Sequence, residues 1–263
     1  MHIEMKTGRI FLGLGIAGIG IIQLLIPGFR PMMAPIPPEP GFMANLPAFF
    51  VGLVLLLGGF AILMNRYVRI GSLVQVILFF LCLMFFHLPN RIRNHPEILG
   101  MWTDAIKLLA FLGGALILFS ISSYMQGAIA SRMFLLGMNI GRTFYAIMLV
   151  LFGVDHFLYL KFVKTLVPVW MGMAAFWTGI GGVALLGSGI GMLIRIKIQL
   201  VGRLLALMLI LWLFLLHLPR AFASSTKDHG NEWTSVCQCL AFAGIALLIS
   251  SNFTPEDHRH QVT

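Results

Sequence analysis

Two histidines occur in matching surroundings about 130 residues apart in the sequence. His87 lies in Phe-His-Leu-Pro and His217 lies in Leu-His-Leu-Pro, and each motif follows a long apolar run. An imidazole at such a place can transfer protons, hold a haem iron or hydrogen-bond a ligand. It can equally bond the last carbonyl groups of its own helix, which is an architectural role. The residues alone leave both interpretations open.

Other ionisable residues fall at comparable places beside apolar runs. Asp155 and His156 come near the end of one run, and the first half of the chain has only Gln23 opposite His156. Ionisable groups near hydrocarbon are costly and usually face a bundle interior or a cavity, although long side chains can also extend to the headgroups. We therefore predict a functional polar cluster at one membrane face, with these candidate members: His87, Asp104, Lys107, Asp155, His156, His217, Arg220 and Glu232.

The composition indicates which elements carry these residues. The chain is 59% hydrophobic and 10% charged, with a mean hydropathy of +0.94, whereas soluble domains are about 25% charged. Apolar runs of roughly 20 residues are long enough to cross a bilayer, and in lipid they must be helices. The sequence predicts an all-α polytopic membrane protein with eight transmembrane helices, at residues 9–26, 47–64, 70–88, 104–123, 142–160, 169–194, 198–218 and 235–251.

Landmarks of the first half return in the same order in the second half. Besides the two histidine motifs, the matching pairs are Gly8-Arg9 with Gly141-Arg142 and Trp102-Thr103 with Trp233-Thr234. This order predicts a tandem duplication with two pseudo-symmetric four-helix repeats. The predicted boundaries are 1–125 for the first repeat, 126–140 for a linker, 141–252 for the second repeat and 253–263 for a polar C-terminal tail.

Prolines and cysteines add two further expectations. Seven of the 12 prolines lie between Pro27 and Pro47, and because proline disrupts a helix interior we expect an extramembrane loop or a re-entrant segment there. The three cysteines form no Cys-x-x-Cys motif, so we predict no redox-active pair. No further haem signal surrounds the histidines, so the sequence predicts neither haem nor another metal site.

The charges bear on orientation and on partners. With eight spans both termini share one side, and that side has ten Lys and Arg residues against eight opposite. The bias favours cytoplasmic termini. The net charge of +9 is accounted for by interfacial anchoring in the lipid bilayer. Because no basic cluster alternates with aromatic residues outside the spans, we expect no nucleic-acid partner.

The motifs together resemble those of the DoxX-like bacterial membrane proteins, including the DoxD-type small subunits. The resemblance covers most of the chain and rests on three stretches, namely Phe152 to Phe157, Leu216 to Arg220, and Glu232-Trp233-Thr234. It implies a bacterial inner membrane location and a link to membrane redox complexes and the quinone pool. The family-type positions would be His156, His217, Arg220 and Glu232, and the first half departs from them with Gln23 and Met101.

Three functional hypotheses follow from the polar cluster and the resemblance. The leading one is an accessory, non-catalytic subunit of a quinone-linked electron-transfer complex, with a membrane protein complex as its partner. The second is a carrier or binding protein for a small apolar molecule or lipid, which would have a cavity between the repeats. The third is a quinone-linked oxidoreductase, so whether the chain is an enzyme stays open. Quinone is the one cofactor that these hypotheses admit.

Overall fold

A computed structural model describes residues 3–36, 42–94, 96–224 and 228–251. Within these ranges all regular structure is helical, without any strand, and eight helices are long and apolar enough to cross a membrane. The predicted all-α fold with eight spans is therefore confirmed. The predicted C-terminal tail, 253–263, lies outside the described residues.

The eight helices overlap the eight predicted spans, and several of them begin or end some residues away from the predicted positions. Their bounds are α1 Ile3–Leu25, α2 Phe42–Leu63, α3 Val68–Arg93, α4 Leu99–Met125, α5 Ser131–Leu158, α6 Ala174–Leu193, α7 Ile198–Ala223 and α8 Asn231–Ser250. Helix α2 begins at Phe42, before the predicted start at Pro47, so Pro47 lies inside the helix; its ring removes one backbone hydrogen bond. Helix α5 already begins at Ser131, inside the predicted linker. Residues 169–171 form a separate turn before α6.

Helices α3 and α7 do not end at their histidine motifs, which corrects the predicted ends at 88 and 218. Each contains one π-helical turn that finishes with the histidine, Leu83–His87 in α3 and Leu213–His217 in α7, and each then continues as α-helix. The wider π turn gives room for Pro89 and Pro219, whose rings would otherwise clash with the preceding helical turn. Neither histidine is therefore placed to cap the end of its helix.

Each helix packs against its neighbours in sequence, and α8 packs against α1. Helices α4 and α8 also touch each other. They are the most buried of the eight, because 78% and 67% of the residues in their apolar stretches are buried, against 56% or less in the other six helices. We call them the central pair. Helices α1 to α3 form a first lobe on one side of this pair, and α5 to α7 form a second lobe on the other side.

Glycine contacts join each lobe to the central pair in an equivalent way. A Cβ atom on Gly8 of α1 would lie 2.7 Å from the carbonyl oxygen of Gly244 in α8. A Cβ atom on Gly141 of α5 would lie 2.5 Å from the carbonyl oxygen of Gly113 in α4. Small residues let membrane helices approach this closely. The contacts have the pattern expected of a duplication, although the predicted repeat boundaries stay a prediction.

Candidate functional site

A cavity of about 500 Å³ lies in the second lobe. Helices α5, α6 and α7 line it together with the central pair and with the connection between α5 and α6. Most of the lining is apolar and aromatic, with Phe152, Trp177 and Trp212 among its members. Cavities of roughly 300–1,000 Å³ with a few polar groups are typical sites for small molecules.

Four of the predicted candidates line this cavity, namely Lys107, Asp155, His156 and His217. Asp155 is only 9% exposed, and its Oδ1 atom is buried without a hydrogen-bond partner among the described residues. Within the same residues no protein group hydrogen-bonds to the half-buried His217. Buried polar groups are nearly always paired, so the Asp155 oxygen has bonding capacity that the protein leaves unused. The His217 ring at the cavity wall is also free to bond a ligand.

His156 lines the cavity, and one of its two ring nitrogens is bonded within its own helix. Its Nδ1 lies 2.7 Å from the carbonyl oxygen of Phe152. Since a carbonyl only accepts, Nδ1 carries the proton and donates, and Nε2 is left as an acceptor. The ring stacks on Trp212 with 6.3 Å between centroids and 24° between planes. The hydrogen bond and the stacking together hold the imidazole ring in one orientation, so the Nε2 acceptor also has one orientation.

Two ion pairs flank the cavity and involve the three remaining candidates near it, Asp104, Arg220 and Glu232. Arg220 pairs with Glu232, with Nε 3.1 Å from Oε2, and its Nη1 donates to the carbonyl of Leu166 at 3.1 Å. Lys107 pairs with Asp104 at 3.1 Å, one helical turn away. These contacts neutralise the cations near the cavity. The cavity lining does not include Asp104, Arg220 or Glu232. These three residues lie at its edge.

The connection between α5 and α6, residues 159–173, covers the cavity, and we call it the cover. It contains a short helix, Leu160–Val163, and two 3-10 turns. The backbone N–H of Gly100 donates to the Tyr159 hydroxyl at 3.1 Å, and Arg220 bonds Leu166. The cover is thus tied to α4 at one point and to α7 at another.

The corresponding connection of the first lobe enters the lobe instead of covering it. Residues 28–34, which we call the plug, include Met32 and Met33, whose exposures are 1% and 0%. His87 lies at 2.8 Å, measured from its Nε2 to the carbonyl oxygen of Met32. His87 is therefore bonded in the first lobe and does not join the four candidates at the cavity.

Two glutamines and an arginine hold the plug. Gln23 donates to the carbonyl of Gly28 at 2.6 Å and accepts from the backbone N–H of Arg30 at 2.8 Å. Gln238 contacts the sulfur of Met32 at 3.2 Å. The Arg30 guanidinium bonds the carbonyls of Pro27, Gly28 and His229. Burial lowers the pKa of Arg30 while the Asp228 carboxylate opposes this shift.

The sequence argument missed the residues that define the cavity walls and the plug. Tyr159 and Trp212 gave no signal, because a single aromatic in an apolar run is ordinary. Gln238 could have been found, since it stands in α8 where Lys107 stands in α4. Met32 could not, because the sequence does not show where a proline-rich loop folds back.

The cysteines and the residue types that commonly bind metals are the last groups to place in the fold. All three cysteines are free thiols, and the Sγ of Cys239 donates to the carbonyl of Leu209 at 3.1 Å. Within the described ranges, no three or more His, Cys, Asp or Glu side chains are grouped so that they could hold a metal ion.

Comparison with known proteins gives no relative from which a function could be carried over. No protein-family model, curated protein or solved structure matches the chain. The resemblance to the DoxX-like proteins therefore rests on the motifs alone, and the site must be interpreted from its own geometry.

Proposed function

We propose that this chain is a membrane protein that binds one small, mainly apolar molecule in the cavity of the second lobe. The observation that carries the proposal is the cavity of about 500 Å³ whose buried Asp155 oxygen has no partner in the described chain. An apolar lining selects an apolar body, and unused polar groups select a ligand with a hydrogen-bonding end. This is the second of the three functional hypotheses, with its cavity inside one lobe.

The exposed surface of the cover supports a ligand that arrives from the membrane. Val169 is 98% exposed and Trp170 is 65% exposed, directly beside the cavity-lining Val167 and Met171. Tryptophan is enriched at the boundary between hydrocarbon and headgroups. We place the cover at that boundary, where it lies against lipid and where an apolar molecule dissolved in the bilayer would meet it.

The accessory-subunit and oxidoreductase hypotheses stay proposals beside this one. A quinone head group is a flat apolar ring with acceptor oxygens, which suits the lining of the cavity, and the motif resemblance supports the same class. We propose the bacterial inner membrane as the location, with cytoplasmic termini. Binding without turnover would agree with either a carrier or an accessory subunit.

The binding proposal can be tested with two tryptophan variants of the same helix. Leu209 lines the cavity and is 7% exposed, whereas Leu211 does not line it and is 49% exposed. The chain is extracted in mild detergent, and co-purified molecules are measured by native mass spectrometry. We expect one small molecule per chain in the wild type and in Leu211→Trp, and none in Leu209→Trp. Equal occupancy in both variants would contradict the proposal.

A turnover assay separates binding from catalysis. The purified chain is mixed with a quinone analogue and a reductant, and quinol formation is followed. We expect no turnover above background. Steady reduction that His156→Ala abolishes at unchanged helicity would replace the binding proposal with the oxidoreductase.

A further inference from the structure

Three polar positions correspond between the two lobes. His87 of α3 corresponds to His217 of α7, and Gln23 of α1 corresponds to His156 of α5. The third pair lies in the central helices, where Gln238 of α8 corresponds to Lys107 of α4. In the first lobe all three side chains contact the plug. In the second lobe all three line the cavity, which Gln238 also reaches from α8.

The plug therefore occupies in the first lobe the place that the cavity occupies in the second. Both lobes have a histidine at the end of a π turn, and the plug meets the one in the first lobe with a backbone carbonyl oxygen. Since the carbonyl accepts, the histidine donates through its N–H group. An apolar thioether side chain follows the carbonyl into the lobe, and Met32 is only 1% exposed.

From this correspondence we propose that the ligand of the second lobe presents a carbonyl oxygen to an imidazole N–H of His217, as Met32 does to His87. The inference rests on the proposed binding function and names the chemistry of the ligand. The class comprises ketones, quinones, esters and amides with an apolar body. The apolar body lies among the aromatic residues, in the position that the Met32 side chain has in the first lobe.

The two ion pairs beside the cavity favour a neutral acceptor over an anionic ligand. The cations nearest His217 are Lys107 and Arg220, and each already has a carboxylate partner, Asp104 and Glu232 respectively. An anionic ligand would have to compete with those carboxylates. A neutral carbonyl needs one donor, and the His217 imidazole supplies it without breaking either ion pair.

Two probes that differ by a carbonyl group in place of a methylene group test the inference. 2-Acetylnaphthalene and 2-ethylnaphthalene have the same ring and nearly the same shape, and only the first has a carbonyl. One hydrogen bond contributes about 0.5–1.5 kcal/mol, which is a roughly 2- to 13-fold preference in Kd. We expect the delipidated chain in nanodiscs to bind the ketone tighter by a factor in this range. In the infrared spectrum, the C=O stretching band of the isotope-labelled ketone should move to lower frequency when the ketone binds.

Three variants assign the preference to His217. His217→Phe should bind both probes equally and lose the infrared shift, while His217→Gln keeps an N–H donor and should retain both effects. His87→Phe is the matched control in the first lobe and should leave the preference unchanged. If the wild type binds the two probes equally, the carbonyl inference is wrong and the binding proposal stands. If neither probe binds, both are wrong.

Two natural sources share this chemistry, and extraction distinguishes them. Molecules released by organic solvent from the wild type and from Leu209→Trp are compared by mass spectrometry. A quinone lost in the variant identifies the quinone pool as the source, and a glycerolipid or fatty-acyl ester lost in the variant identifies the bilayer lipids. A lost molecule without any carbonyl group would overturn the inference.

Discussion

The two lobes have equivalent helix contacts and different interiors. Both use a glycine contact against the central pair and a π turn that ends in histidine. The connections that close them are similar in length, 26–41 in the first lobe and 159–173 in the second. What differs is their composition, since Pro31 and Pro35 interrupt the first while the second forms short helical turns. The difference between the interiors therefore lies in the connections, and the helix contacts of the two lobes are alike.

The largest expected effect tests what the lobes share. Leucine at Gly141 would place side-chain carbons against the backbone of Gly113, and overpacking of this kind costs about 1–3 kcal/mol or more. We expect Gly141→Leu and Gly8→Leu to lower the thermal unfolding midpoint in detergent by similar, large amounts. Gly187→Leu is the control, because a Cβ atom there meets no other atom within 4 Å. Unequal effects at 8 and 141 would break the equivalence of the two contacts.

Truncating a plug side chain should cost more stability than truncating a side chain at the cavity. Met33 is 0% exposed, and truncation of a buried methionine to alanine costs about 2–5 kcal/mol. Met171 lines the existing cavity, so Met171→Ala should cost about 1 kcal/mol or less. Thermal unfolding of both variants checks the difference. A greater loss from Met171→Ala would mean that the cover contributes more to stability than the plug.

The paired histidines should respond differently to the same substitution. His87→Phe leaves the buried Met32 carbonyl without its donor, which costs about 1–3 kcal/mol. His217→Phe removes no hydrogen bond found in the described residues, so we expect a change within about 0.5 kcal/mol. Chemical denaturation of the two variants in micelles provides the comparison. Equal destabilisation would argue that His217 also has an architectural bond.

The smallest expected effect concerns an ion pair that only the second lobe has. Asn90 and Met101 occupy the positions of Arg220 and Glu232 in the first half. Glu232→Gln keeps the hydrogen-bonding shape and removes the charge, so we expect a loss of about 1 kcal/mol. Limited proteolysis at Lys161 and Lys164 should also accelerate, because Arg220 holds the cover at Leu166. The control Asp104→Asn, in the half-buried pair with Lys107, should leave the cleavage rate unchanged.

The sequence predicted the helices well because hydrophobic length alone decides them. It also identified His156 and His217, which line the cavity. The predicted ends of α3 and α7 were wrong because Leu-Pro usually stops a helix, and a π turn removes the clash that stops it. The sequence could not predict that His87 would bond the plug while four other candidates line the cavity. This arrangement depends on where the plug folds, and tertiary packing sets this position without leaving a periodic pattern in residues 28–34.

Each lobe closes against a helix that the other half of the chain supplies, because α1 packs on α8 and α5 packs on α4. A lone four-helix unit would leave those surfaces uncovered, and two identical units would cover them by pairing as a dimer. An even number of spans inserts both units in the same direction, with the twofold axis along the membrane normal. Identical subunits must carry identical loops, so such a dimer would have two plugs or two cavities. In one fused polypeptide the two connections can differ in sequence, so one lobe can contain a plug while the other contains a cavity.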